Sequence, residues 1–332
     1  PYARRVSERW FWPNKVGVRM FSLFQSQRVG KGIRLCIFLL SLMPLYSAGG
    51  TIVRVSTSIG DFSIELLDET APVTVKNFLN YVHRNDYNGT YFHRVVDDFV
   101  AQGGAYRFQP YVGPIDVPTD PPIVNEFNVS NSRGTVSMAK LDGAPDSATN
   151  QWFINLADNT ALDKNSGGFT VFGSVLGDGM TIVDAIDNQP TVNLGYKAES
   201  APYTKTAYTD PTDFLYMNVE VVTRYSGAPH VFETSSGLLI TSVDIDNGEE
   251  FLSMNFSSVQ TDGDLVIQVN PDSVLRRGGP VEGVALFNSA NGELRIPLLE
   301  VNSNGGVAVA KNVVFALTNS NPVQFTLQSF EQ

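Results

Sequence analysis

The chain has 332 residues, enough for two domains, and its 42% hydrophobic and 17% charged content is that of a globular protein, not a disordered one. Eight of its 23 Lys and Arg but only one of its 34 Asp and Glu fall in residues 1–50, so the rest carries 15 basic and 33 acidic groups, a net charge of −18 that repels phosphates and excludes a nucleic-acid partner. The single cysteine, Cys36, allows no disulfide, and three scattered histidines (His83, His93, His230) suggest no zinc site; no metal or other cofactor is expected.

Arg28, Lys31 and Arg34 precede an apolar run, Leu35 to Leu45, which is followed by Ser47, Ala48, Gly49 and Gly50. That is the order of a secretory signal, with cleavage expected near Ala48 to Gly50. Met20 stands where a signal of ordinary length would start, which would put residues 1–19 outside the natural chain. The apolar run is too short to span a bilayer and Pro44 interrupts it, so no stable membrane span is expected after cleavage. The leader therefore points to a periplasmic protein, with secretion as the other destination.

Two strands are read in Thr51 to Leu67, turning at Ser58-Ile59-Gly60-Asp61. Thr70 is read as the cap of a helix with Pro72 in its first turn; Val75, Phe78, Leu79 and Val82 give it one apolar stripe. Short strands follow around Tyr91 to Val96 and Phe99 to Gly103, then a Pro-rich loop from Gln109 to Pro122. Further strands are placed near Gly134 to Ala139, Gln151 to Asn155 and Thr170 to Val175, with a second helix from Met180 to Asn188. A long loop, Gln189 to Pro211, leads to a closing strand, Phe214 to Arg224.

Residues 226–231 read as a linker, and residues 232–332 as a β-rich module of seven or eight short strands, a small sandwich-like domain. Asn291-Gly292 marks a hairpin turn there. Asp244 to Gly248 is close to a calcium loop, but its glycine comes one residue early and Asn255 stands where the terminal acid should be.

The chemistry is concentrated in one stretch, Phe92-His93-Arg94-Val95, then Phe99, Gln102-Gly103-Gly104. It is followed in order by Ser137-Met138-Ala139, Gln151-Trp152-Phe153-Ile154 and Val171-Phe172-Gly173. Strand alternation would put Phe92 and Arg94 on one side and His93 and Val95 on the other. This ordered set, spanning residues 51–224, resembles the cyclophilin family. The resemblance implies a mainly β fold, a closed eight-stranded antiparallel barrel with two capping helices over residues 51–225. It also implies peptidyl-prolyl cis-trans isomerase activity on proline-containing unfolded or extended polypeptides. By that resemblance Arg94, Phe99, Gln102 and Phe153 are the catalytic residues. His93, Val100, Ala139, Lys140, Gln151, Leu162 and Phe169 bind substrate.

The reaction makes no covalent intermediate. Rotation about the amide meets a barrier of about 18–20 kcal/mol because the bond is partly double. A fixed cation beside the nitrogen, which gains a lone pair as the bond twists, lowers that barrier by differential binding. Arginine suits this because it stays charged and presents a planar fork of donors. No general acid or base is required. Val100, Ala161 and Phe169 stand where the family more often has methionine, tryptophan or phenylalanine, and histidine or tyrosine. They keep open a second reading, a non-catalytic proline-peptide-binding or scaffold protein acting through its C-terminal module.

Overall fold

The computed structural model describes residues 50–260, 263–303 and 306–332. The expected signal lies outside these residues. Among the described residues no helix is long and apolar enough to cross a membrane.

The chain opens with β1 (Ile52–Thr57) and β2 (Gly60–Leu66), a hairpin paired from Ile52↔Glu65 to Thr57↔Gly60. Gly60 sits at φ +154°, and a Cβ there would meet Ile182 at 2.6 Å. Helix α1 (Pro72–His83) follows. Its N-terminus is not capped by Thr70: the N-cap is Ala71, with no side-chain bond. The free amides of Val73 and Thr74 instead donate to the Glu126 carboxylate, at 3.1 and 2.8 Å. A distant acid thus does the work of a local cap.

Next come β3 (Thr90–Tyr91), β4 (Arg94–Val96) and β5 (Val100–Gly103). A hairpin, β6 (Tyr106–Gln109) with β7 (Gly113–Asp116), comes next, and its second strand occupies the start of the expected Gln109 to Pro122 loop. Then follow β8 (Thr135–Met138), β9 (Trp152–Asn155), β10 (Val171–Val175) and α2 (Met180–Asp187). A two-residue pair, β11 (Thr191–Val192) with β12 (Ala201–Pro202), precedes the long β13 (Tyr216–Val222).

Eleven of these strands form one curled sheet, ordered β4-β5-β9-β8-β10-β2-β1-β13-β3-β6-β7. This corrects the closed eight-stranded expectation. The sheet is a half-barrel whose end strands, β4 and β7, do not pair with each other among the described residues. The β4 edge is covered instead by Ser200: Val95 N donates to its carbonyl at 2.9 Å and its own amide donates to His93 O at 3.3 Å. Phe78, Trp152, Ile154, Phe172, Val183 and Ile186 fill the concave side, bringing both helices onto one apolar core.

The second half contains β14 (Val231–Glu233), β15 (Leu238–Ile245), β16 (Glu250–Gln260), β17 (Leu265–Val269) and β18 (Leu275–Arg276). It ends with β19 (Ala285–Asn288), β20 (Glu293–Ser303), β21 (Gly306–Ser320) and β22 (Val323–Glu331). The order β15-β19-β20-β21-β22-β17-β16 is closed by pairing of β15 with β16. The region is therefore a closed seven-stranded barrel, not a sandwich. Closure removes the exposed edges that a sandwich would leave. Phe256, Ile267, Ile296, Phe315 and Phe325 fill it.

The half-barrel and the closed barrel share a polar face. On β1 the alternation sends Val53 and Val55 into the core and Arg54 and Ser56 outward, yet all four are buried. Arg54 is covered by the segment that follows β13. Arg54 donates to the carbonyls of Ser226 and Ala228, so residues 226–231 are tied to the sheet. Arg277 pairs with Asp61 at 2.5 Å, Gly278 N donates to Ser58 O at 3.1 Å, and Asn218 Nδ2 donates to Ser273 O at 2.6 Å.

Candidate active site

Register alone assembles the centre of the site. Arg94 lies directly opposite Gln102 across β4 and β5, and Gln102 directly opposite Phe153 across β5 and β9. Directly opposed residues point to the same face, so arginine, glutamine and phenylalanine form one row over three strands. The intervening residues Val95, Ala101 and Ile154 point the other way, into the core.

The expected alternation fails just before this row. Phe92 is fully buried in the core together with Val95, on the side opposite Arg94. Residues 92 and 93 lie between β3 and β4, outside either strand, so the period of two is interrupted there. His93 is consequently buried against Tyr106, ring centroids 4.9 Å apart and edge to face. Burial, and then the Arg94 cation, lower its pKa to about 4, against a bond with Gln151 that raises it. His93 is therefore neutral at neutral pH.

The row is bordered by aromatic side chains. Phe153 and Phe169 meet edge to face at 5.8 Å. The Phe169 amide donates to Leu162 O at 3.2 Å, which ties it to the short 3-10 turn Thr160–Asp163. Phe99 is half-buried, and its carbonyl accepts from Leu156 N at 2.9 Å and from Asn159 Nδ2 at 2.7 Å. Val100 is buried at the start of β5. Ala161 is exposed.

On the other flank Gln102 Nε2 donates to Gln151 Oε1 at 2.9 Å. Ala139 N donates to Gln151 O at 2.9 Å just past the end of β8. Lys140 lies over the Phe169 ring at 4.8 Å and donates to Ser166 O at 2.5 Å. Burial lowers the pKa of its ammonium, with Asp146 opposing.

Glu199 and the Asn131–Asp163 pair stand near the site without a signal in the sequence. Glu199, in the loop after β11, places Oε2 3.6 Å from Arg94 Nε. Behind Phe169, Asn131 Nδ2 donates to Asp163 Oδ1 at 2.9 Å and Phe169 O at 3.1 Å, and Ser137 Oγ donates to Asn131 Oδ1 at 2.7 Å. Burial works to raise the Asp163 carboxyl, but bonds from Ser130 and Asn131 outweigh it and hold it below the usual range. Glu199, Asn131 and Asp163 fall in none of the motifs, and only folding brings them to Arg94, Ser137 and Phe169.

Asp97, Asp98 and Asp187 are the only three-membered set of metal-type ligands found among the described residues, and the first two are exposed. Exposed acids commonly stand together without an ion, and isomerisation about an amide needs none.

The curled sheet thus carries a row of arginine, glutamine and phenylalanine on its outer face, beside the paired rings of Phe153 and Phe169. Comparison with known proteins defines it further. Residues 52–206 match the model of the cyclophilin-type peptidyl-prolyl cis-trans isomerase family. The chain is 42% identical over 158 residues to a peptidyl-prolyl cis-trans isomerase of Acinetobacter baylyi, covering 46% of this chain and 81% of that protein. It is 40% identical over 175 residues to peptidyl-prolyl cis-trans isomerase A of Dickeya dadantii, covering 51% and 89%. With peptidyl-prolyl cis-trans isomerase B of Escherichia coli it shares 43% identity over 150 residues, covering 43% and 88%. A crystal structure of a Cryptosporidium parvum cyclophilin-type isomerase aligns with 53% of this chain and 99% of its own at a TM-score of 0.41 and 22% identity. The chain belongs to the cyclophilin-type peptidyl-prolyl cis-trans isomerase family.

Proposed function

We propose that this chain catalyses cis-trans isomerisation of X-Pro bonds in extended polypeptides, with Arg94 stabilising the twisted amide. The observation that carries the reading is the cross-strand row Arg94, Gln102, Phe153. It sets a permanent cation and an amide donor beside the apolar Phe153 and Phe169 surface that would take the proline ring.

Arg94 has no other ionic partner than Glu199 among the described residues, and that contact is at Nε, on one edge of the guanidinium. The two terminal nitrogens remain available to the amide nitrogen as its lone pair develops. A preorganised cation acts on the transition state more than on the planar ground state, and that difference is what accelerates the step. Lowering the barrier by about 4 kcal/mol would speed isomerisation ~10³-fold. Gln102 is read as the hydrogen-bond partner of the substrate backbone. The strand end at Ala139 and Lys140, with Gln151, is read as pairing with its extended chain.

The leader motivates a further part of the proposal: the clients are exported proteins met in the periplasm. The full chain is expected to accelerate cis-to-trans conversion of a short X-Pro peptide, read by exchange NMR. Saturable peptide binding without acceleration would replace the enzyme by a binding domain. Cell fractionation tests the location, and recovery of the chain in the cytoplasm would refute it.

A further inference from the structure

A cavity of about 430 Å³ lies where the two barrels meet, within the usual range for small-molecule sites. One wall is the end of α1, the turn after it and β13, including His83, Asn85, Asn88 and Glu220. The other is built by the β14–β15 turn, β16 and the segment after β17, including Ser236, Asn255, Asn270 and Ser273. Neither barrel encloses it alone.

Glu220 is the unusual member. It is only 4% exposed, and its Oε1 accepts from Asn255 Nδ2 across the domain boundary. Its Oε2 has no hydrogen-bond partner among the described residues. A buried polar atom left unpaired costs about as much as a lost hydrogen bond. Burial above all holds this carboxyl in its neutral acid form at neutral pH, so it can donate as well as accept.

The rest of the lining narrows the ligand. It contains no Lys or Arg and adds the exposed Asp272 carboxylate, which disfavours phosphates and carboxylates, and its one aromatic ring is the small His83 imidazole at the exposed end of α1. It offers neutral amides and hydroxyls: Asn85, Asn88, Asn270, Ser236 and Ser257. Such groups match a molecule in which every polar group both donates and accepts. We propose that this inter-barrel cavity is a binding site for a neutral, hydroxyl-rich ligand, a saccharide of one or two rings, held by both domains at once. The proposal is independent of the isomerase reading, because the cavity shares no residue with the Arg94 groove.

The test is saturation-transfer NMR and calorimetry on the full chain with glucose, galactose, N-acetylglucosamine and diacetylchitobiose. Inorganic phosphate serves as the excluded class. At least one sugar is expected to bind saturably with Kd of about 1 mM or tighter, the affinity of a hexose-sized ligand at ordinary efficiency. Two variants read the location. Asn270→Leu keeps the volume and removes an amide; Ser236→Trp, at an exposed turn residue, closes the cavity from its rim. Each is expected to weaken binding at least fivefold with isomerase activity unchanged. Absence of binding by every sugar, tighter binding of phosphate, or sugar binding unaffected by both variants would overturn the proposal.

Discussion

Glu199 Oε2 lies 3.6 Å from Arg94 Nε and is the only acid paired with that arginine among the described residues. The contact is partly solvated: the Glu199 side chain is 61% exposed and Arg94 31%. An ion pair so exposed is worth little to stability, at most about 1 kcal/mol. Its effect is on the field that Arg94 presents, because the carboxylate offsets part of the cation as the amide twists. Glu199→Gln is therefore expected to raise kcat/KM a few-fold at low ionic strength. Salt screens exposed charges, so the gain should vanish above about 0.5 M salt. A loss of activity at low salt would show instead that the carboxylate holds Arg94 in place.

His93 adjoins the arginine but is not needed as a proton carrier. Burial and the Arg94 charge lower its pKa to about 4, so it stays neutral throughout the ordinary pH range. Activity should be flat from about pH 6 to pH 8 and fall only near pH 4. A pH–rate profile with an inflection near 6.5 would contradict this account of His93.

The domain boundary should respond to pH in the opposite sense to most carboxylates. Burial, with the nearby Asp61 charge, raises the Glu220 pKa to about 8, against the Asn255 bond and Arg54, which lower it. An unfolded glutamate titrates near 4.3. Between these values the unfolded chain has lost the proton that the folded chain keeps. The Glu220 contribution is thus fully present below about pH 4.3 and is lost as pH rises to about 8. Glu220→Gln, which cannot ionise, should gain on the wild type by a few kcal/mol between pH 5 and pH 8. Denaturant unfolding across that range checks it; a constant difference at all pH values would contradict the assignment.

The start of α1 offers a plain stability test. Glu126 accepts from Val73 N, Thr74 N and Thr74 Oγ1. Glu126→Ala is expected to cost about 0.5–2 kcal/mol, as the loss of a helix cap does. Thermal unfolding reads it, and Thr70→Ala should cost much less because Thr70 is not the cap.

That pair of residues shows where the sequence could be read and where it could not. Helix α1 itself was legible from Pro72 and the stripe of Val75, Phe78 and Val82, because these signals are local. Its cap was not, because Glu126 is more than fifty residues away in the chain. The row of Arg94, Gln102 and Phe153 was legible because those residues sit in an ordered set of motifs. Glu199 was not, because the loop carrying it has no period and is brought to Arg94 by long-range contacts such as those of Ser200 with β4 and of Lys197 O with Tyr91. In the second half most strands were legible by alternation, and so was the Asn291-Gly292 turn between β19 and β20. The strands there were expected to be short, whereas β16 runs 11 residues and β21 runs 15 without a break. Closure into a barrel depends on β15 pairing with β16, a register that no single strand reveals.

The central claim is that the Arg94 charge acts on the twisted amide. The most direct measurement is kcat/KM of the full chain on an X-Pro peptide for wild type, Arg94→Ala and Arg94→Lys, with peptide Kd measured in parallel. The account predicts a fall of about 10²–10³-fold for Arg94→Ala with Kd changed less than about threefold, and partial retention by Arg94→Lys, which keeps the charge but not the fork. Unchanged kcat/KM in Arg94→Ala, or a fall matched by the loss of peptide binding, would contradict it.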